Sequence, residues 1–347
     1  MHGKQQMKEA MNASNDLKKV RVGVAGVGHL GQSHARLFRQ IETAELIGVL
    51  DIDKSRSVSM SKELGVKSFG TFEDLISDVE AVSVVAPTSV HHEIAVKAMD
   101  SGKHCFIEKP IASTVEEAQD ICRLAAEKKV KVQVGHVERF NPAVLALSNL
   151  KVEPVFVEAH RLAQFKPRAL DVAVVLDLMV HDIDLILSFV KSPIKSIDAS
   201  GVGVISDTID IANARIKFQN GTVANLTASR ISQRQMRKMR LFQRDAYISL
   251  DFAEGLAEVY RAVKLDMLAA TGMNLGTIGV GDSVRAITYE QPEAPQVNSL
   301  KMELELFIRS ILDDKPTAVS PEEGLEVLRV ADTIVRQIEE SREILHL

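Results

Sequence analysis

The segment Val20-Arg-Val-Gly-Val-Ala-Gly26-Val-Gly28-His-Leu-Gly31 constrains the fold more than any other part of this chain. A β-branched apolar run leads into Gly-x-Gly-x-x-Gly, and an amphipathic stretch from Gln32 to Ile41 follows. These are the parts of a strand, a phosphate loop and a helix. Gly26 permits the tight turn, Gly28 lets the backbone approach a pyrophosphate, and Gly31 lets helix and strand pack closely. His29, Leu30 and Gly31 lead into that helix, whose N-terminus presents unpaired N–H groups to an anion. Asp51 ends the next apolar run, Leu46-Ile-Gly-Val-Leu-Asp51. A carboxylate there accepts hydrogen bonds from ribose hydroxyls and repels a 2′-phosphate, so the spacing predicts a bound dinucleotide, NAD in preference to NADP.

From Lys18 to His136, short apolar runs alternate with helical patterns: Val20–Ala25, Glu45–Leu50, Ala81–Ala86, His104–Ile107 and Val130–Val134. That alternation predicts a doubly wound parallel sheet of Rossmann type over residues 18–136. Beyond it, longer alternating runs predict an α+β domain, residues 137–347, built on a large, mostly antiparallel open sheet. Ile209–Phe218 and Thr222–Ser229, joined through Asn220-Gly221, predict a hairpin. Further strands are expected at Ser196–Ile205, Lys238–Phe242, Ala246–Asp251, Ala257–Val263 and Ala286–Tyr289. A mobile loop is expected over Leu268–Asp282, and helices over Asn298–Asp313 and Pro321–Arg342, the last elements packing back on the first domain. An open sheet face also predicts a homodimer or homotetramer. At 347 residues the chain accommodates both domains, and residues 1–17 read as a disordered leader.

A net charge of −5 argues against a nucleic-acid binder and for small-molecule partners. No stretch is long and apolar enough for a membrane span, and the polar start lacks a signal-peptide core, which predicts a cytoplasmic protein. The two cysteines, Cys105 and Cys122, lack metal-ligand or redox spacing.

Three clusters follow predicted parallel strands, where open α/β sheets bind ligands: Ala86-Pro87-Thr88-Ser-Val-His91, Glu108-Lys109-Pro110 and Gly135-His136. Taken singly, Lys109 reads as a surface lysine; its place between a buried strand and a proline suits an ammonium that steadies a developing oxyanion. Asp177 and His181 lie four residues apart in a helical pattern, with Asp184 a turn beyond. The pair reads either as an N-terminal Asp with a satisfied core histidine or as a carboxylate-oriented acid–base group. Without a second patterned His or a Cys, no metal site is expected.

In this order and at these separations, Gly26–Gly31, Glu108-Lys109-Pro110 and Asp177-x-x-x-His181 resemble the Gfo/Idh/MocA family of oxidoreductases, over nearly the whole chain. The resemblance implies that Lys109, Asp177 and His181 surround the reacting sugar carbon beside NAD(P), with His181 as the base. It also implies that Pro87, Thr88 and His91 line the cofactor, while His136 and Asn141 lie near nicotinamide and substrate. Two departures stand out: the family often has Pro-Asn at Pro87-Thr88 and Gly-Gly at Val174-Val175. Gly135-His-Val-Glu-Arg-Phe-Asn-Pro142 and Glu158-Ala-His-Arg-Leu-Ala-Gln-Phe-Lys-Pro-Arg168 resemble a narrower group within it, the UDP-N-acetylglucosamine 3-dehydrogenases of lipid A biosynthesis. That implies a nucleotide-sugar substrate whose 3-ketone a partner aminotransferase consumes. Arg161, Lys166 and Arg168 then read either as a diphosphate-neutralising set or as a solvated basic loop. Arg234, Arg237, Lys238, Arg240 and Arg244 read as edge protection or an oligomer contact. Dehydrogenation of a free sugar, inositol or other polyol, and a redox-inactive NAD-binding regulator, are the competing functions.

Overall fold

The computed structural model describes residues 18–165, 172–266 and 272–344, so the expected leader lies outside the described residues. The strands are β1 (Val20–Ala25), β2 (Ala44–Leu50), β3 (Lys67–Ser68), β4 (Ala81–Val84), β5 (His104–Glu108), β6 (Val132–Gly135), β7 (Phe156–Leu162), β8 (Ile194–Val202), β9 (Ile211–Phe218), β10 (Val223–Ser229), β11 (Met236–Phe242), β12 (Ala246–Asp251), β13 (Leu256–Val263), β14 (Met273–Ile278) and β15 (Arg285–Glu290). The α-helices are α1 (His29–Phe38), α2 (Lys54–Leu64), α3 (Phe72–Asp78), α4 (His91–Asp100), α5 (Val115–Lys128), α6 (Pro142–Leu145), α7 (Val180–Phe189), α8 (Ser299–Leu312) and α9 (Pro321–Ile344). Two compact units result. One holds the chain through Glu108 with Arg123–Gln133 and Glu303–Ser320; the other holds Lys109–Cys122, Val134–Met302 and the chain from Pro321 onward. No helix among the described residues is long and apolar enough to cross a membrane.

The first unit carries the expected parallel sheet, in the order β3-β2-β1-β4-β5-β6. β4 is buried at every position, as a strand covered on both faces should be, and its one polar residue, Ser83, lies 2.9 Å from His34. The order reverses at β1, which pairs with β2 on one side and β4 on the other. At such a switch point the loops after β1 and β4 diverge and leave a crevice. α8 belongs partly to this unit and packs Phe307 edge-on against Phe106, with ring centroids 5.8 Å apart.

The second unit is built on a nine-stranded sheet in the order β14-β15-β13-β12-β11-β7-β10-β9-β8. All pairs are antiparallel except β7 with β10. One face packs Val157, Ile216, Leu226, Met239 and Ile248 into a core with Ile183 and Ile186 of α7 and Ile334 and Ile338 of α9. The other face carries polar cross-strand pairs such as Asn213–Thr227 (2.9 Å) and Arg215–Asn225 (2.9 Å). A row of rings, Phe156, Phe242, Tyr247, Tyr260 and Tyr289, crosses five strands on that face with centroids 5.0–5.7 Å apart. Cross-strand aromatic contacts of this kind stabilise the sheet on a face the helices leave uncovered.

Four expectations need correction. β7, in the middle of the sheet, stands where no strand is expected: Arg161, read as part of a diphosphate-neutralising set or of a solvated basic loop, is buried and interrupts the apolar alternation of Val157 and Ala159. The segment expected as a mobile loop includes the edge strand β14, whose register shifts between Asn274 and Gly276; its glycines Gly272, Gly276, Gly279 and Gly281 all take positive φ, and residues 268–271 lie outside the described residues. β11 is an interior strand between β12 and β7, so its basic residues do not protect an edge. Finally, β8 ends at Val202, because the chain beyond turns to wrap Asp210.

The Asp210 carboxylate accepts the amides of Val204 (2.8 Å), Ile205 (2.8 Å) and Ser206 (3.0 Å) and the Ser206 hydroxyl (2.7 Å). Burial alone raises its pKa, but these bonds together hold it down at about 2. A depressed carboxylate pKa adds stability that is complete above the ordinary value of 3.8 and is lost as pH falls through about 2. Asp210→Asn should therefore lower the urea midpoint at neutral pH and flatten the loss between pH 3.8 and about 2. Parallel midpoint-versus-pH curves for variant and parent would contradict this account.

Candidate functional site

The loop after β1 shows why three glycines are needed. Gly26 has φ +92, and a Cβ there would stand 2.7 Å from the backbone of Val85 and Ala86. A Cβ on Gly31 would overlap the carbonyl of Gly26. Around Gly28 there is nothing within 4 Å of a Cβ position, so the N-terminus of α1 opens onto free space that a pyrophosphate fits. His29 and Leu30, exposed in the first turn of α1, frame that opening. Asp51 braces the loop: Oδ2 accepts the Val27 amide (2.7 Å) and Oδ1 the Asp53 amide (2.8 Å). Each carboxylate oxygen has a further lone pair, so ribose hydroxyls can still be accepted. Beside it, Ile52 is fully exposed, an apolar surface suited to a base ring and missed because one exposed residue gives no sequence signal.

Pro87 precedes a 3₁₀ turn, Thr88–Val90. His91, expected on the cofactor, is buried, with Nε2 2.8 Å from the Ala86 carbonyl; the ring braces the loop after β4. Glu108 is likewise internal. Its Oε1 lies 3.1 Å from His34 Nε2, while His34 Nδ1 lies 2.9 Å from Ser83 Oγ. This link ties β5 to α1 and β4 beneath the glycine loop. His34 and Ser83 were not anticipated, since a buried histidine on a helix reads as core.

The chain enters the second unit at Lys109, through a cis bond to Pro110. Lys109 Nζ donates to the Asp177 carbonyl (2.8 Å) and lies 4.0 Å from Asp177 Oδ1. Asp177 sits in a π turn, Val175–Met179, that leads into α7, with His181 in the first turn of that helix. An i→i+5 turn takes in one residue more than an α turn and so offsets the stacking expected of residues four apart. Accordingly, Asp177 does not hydrogen-bond His181, and among the described residues the buried His181 Nδ1 has no hydrogen-bond partner. The carboxylate-oriented histidine expected from the spacing is therefore not formed among the described residues. Val174 and Val175, where the resembled family often has Gly-Gly, are fully buried core residues.

Burial, then the charges of Lys109, Arg161, His136 and Arg237, hold the His181 pKa well below 6.5. At neutral pH the ring is therefore an unprotonated acceptor with an ammonium nearby. His136 is buried at the end of β6. Asn141 is also internal: Nδ2 donates to Glu138 (3.3 Å) and the Phe252 carbonyl (3.0 Å), and Oδ1 caps α6 through the Ala143 amide (3.0 Å). These bonds make it a structural link rather than an open substrate contact.

Arg161 also departs from expectation. Nε and Nη2 form a fork on Asp182 (3.0 and 2.8 Å), and Nη1 reaches Glu138 (3.4 Å). With 5% of its side chain exposed, Arg161 is committed to buried carboxylates and has no fork left for a diphosphate. Lys166 and Arg168 lie outside the described residues. Asp184, a turn beyond His181, is clasped by Arg139 (2.7 Å). Arg161→Met would leave the Asp182 charge buried without its fork, and should cost about 3–5 kcal/mol in urea denaturation. A cost below about 1 kcal/mol, typical of exposed pairs, would show that the network is solvated.

Comparison with known proteins adds four findings. A family model described as an oxidoreductase family with an NAD-binding Rossmann fold matches residues 20–136, and a GFO/IDH/MocA C-terminal domain model matches residues 153–249. The chain is similar to a UDP-N-acetylglucosamine 3-dehydrogenase of Acidithiobacillus ferrooxidans, 37% identical over 313 residues, 90% of this chain and 95% of that protein. A solved structure of that dehydrogenase superposes with a TM-score of 0.83 at 34% identity, covering 93% of this chain and 98% of the other. A scyllo-inositol 2-dehydrogenase (NAD(+)) of Bacillus subtilis is 30% identical over 236 residues, 62% of this chain and 68% of that protein.

Proposed function

Because the chain belongs to the Gfo/Idh/MocA family of NAD-binding oxidoreductases, we propose that it oxidises a secondary hydroxyl of a nucleotide sugar, C3 of UDP-N-acetylglucosamine, to the ketone. The observation that carries this reading is geometric: the Lys109 ammonium is bonded to the Asp177 carbonyl in the π turn that leads directly into the helix turn carrying His181. The substrate follows from similarity to the Acidithiobacillus ferrooxidans dehydrogenase over most of both chains.

His181 takes the proton from the reacting hydroxyl as the C–H bond is oxidised. Lys109 donates to the same oxygen and spreads the negative charge that develops as the proton leaves. Asp177, with 40% of its side chain exposed, is accessible to accept hydrogen bonds from neighbouring sugar hydroxyls. NAD, held by Gly26, Gly28, Gly31 and Asp51, supplies the hydride acceptor. The 3-keto product suits a reaction that converts ketones to amines, such as that of an aminotransferase.

The test is NADH formation with UDP-N-acetylglucosamine, run with a ketone trap and beside free scyllo-inositol. Turnover confined to the nucleotide sugar is expected, and turnover confined to inositol would overturn the substrate. His181→Ala and Lys109→Ala should each lower kcat by roughly 10²–10⁴-fold while leaving NAD affinity unchanged. Wild-type turnover in either variant would remove that residue from the chemistry.

A base must be unprotonated to act, and the folded environment lowers the His181 pKa. The acid limb of kcat/KM should consequently fall below pH 6.5, with a flat profile from there to neutrality. An acid limb at or above pH 6.5 would mean that some other group is the base, or that His181 is not neutral.

A further inference from the structure

On the reading above, the substrate carries a diphosphate, yet the arginine expected to bind it is committed elsewhere. We propose that Arg237 binds that diphosphate, with Glu138 positioning its guanidinium. Arg237 belongs to the basic run expected at a strand edge, but β11 is an interior strand. On β11 side chains alternate, and Arg237 shares the face of Met239 and Leu241, which are fully buried in the helix-covered core. Lys238 and Arg240 point the other way, toward Asp251 (2.9 Å) and Glu158 (3.5 Å). The run therefore splits, and Arg237 alone of these three faces the side that holds α7.

Across the β7–β11 ladder, Arg237 stands directly opposite Arg161. Both guanidinia converge on the Glu138 carboxylate, which Asn141 also contacts. The two arginines differ in what remains available. Arg161 uses Nε, Nη1 and Nη2 on Asp182 and Glu138 and is 5% exposed. Arg237 uses Nη2 alone on Glu138, has no other side-chain hydrogen bond among the described residues, and is 30% exposed. Its Nε and Nη1 donors thus have no partner among the described residues, on a part-exposed guanidinium already fixed at one corner, an arrangement that favours bidentate capture of phosphate oxygens. Asp182, which Arg161 clasps, is the residue after His181, so Arg237 belongs to a network that borders the proposed base. Its charge contributes to the lowered His181 pKa, consistent with that proximity.

The test uses the NAD-loaded enzyme with UDP-N-acetylglucosamine as substrate and UDP as a dead-end inhibitor. Glu138 keeps Arg161 and Asn141 when Arg237 is shortened, so Arg237→Gln should fold normally. It should raise both KM for the nucleotide sugar and Ki for UDP by about tenfold to a hundredfold, the loss of a charge-assisted hydrogen bond, with kcat within about threefold. Arg237→Lys, which keeps the charge and loses the fork, should fall between parent and Gln variant. Unchanged KM and Ki in Arg237→Gln would overturn the assignment, as would a fall in kcat with KM and Ki unchanged, which marks a positioning role only. A wild-type enzyme inert toward the nucleotide sugar would remove the functional reading and this assignment together; an active wild type with an indifferent Arg237→Gln removes the assignment alone.

Discussion

The fork between Arg161 and Asp182, under 10% exposed on both sides, is the interaction on which the second unit's chemistry depends. Removing two charges from water costs several kcal/mol per ion, and only good geometry with further hydrogen bonds offsets it. Those further bonds come from Glu138, which adds the turn after β6 and strand β11 to the strand β7 and helix α7 already joined by the fork. Burial raises the Asp182 pKa while Arg161 pulls it down, so the carboxylate relies on its partner to stay charged. Since Asp182 follows His181 in the chain, whatever locates the fork also locates the imidazole. The positive side of the same network helps keep that imidazole unprotonated.

The first unit works by exclusion rather than attraction. Gly26 and Gly31 approach so closely that no side chain fits at either, and this proximity sets helix α1 against the sheet while the space around Gly28 stays open. Asp51 and the His34–Glu108 link hold the loop from opposite sides with short polar contacts. The chain then passes from Glu108, a brace of the nucleotide unit, to Lys109, whose ammonium grips the π turn. Two neighbouring residues therefore serve the two units in turn.

Much of this was legible in advance. β1 matches the expected strand at both ends, and the hairpin of β9 and β10 turns at Asn220-Gly221 as the local preference predicts. Such features are local: their signals lie within a few residues of what they specify. The misses share one cause. β7 carries a buried arginine that looks like surface, β11 carries a basic run that looks like an edge, and β14 carries Gly276 within a glycine-rich segment that looks like a loop. In each, burial and neighbours come from chain segments distant in sequence, and a residue's charge is no guide to its exposure once a partner is present.

The sequence by itself determined the nucleotide loop and the two-part architecture, and it pointed to Lys109, Asp177 and His181 as candidates, because glycine spacing, hydrophobic period and residue order are written along the chain. Tertiary structure alone decided what those groups face. It placed Asp177 in a π turn ahead of the helix that carries His181, turned Arg161 inward onto Asp182, and left Arg237 part-exposed on the same carboxylate network. The physical reason is desolvation: whether a charged side chain is a ligand or a brace depends on which partner reaches it first in the folded state, and those partners are brought together only by folding.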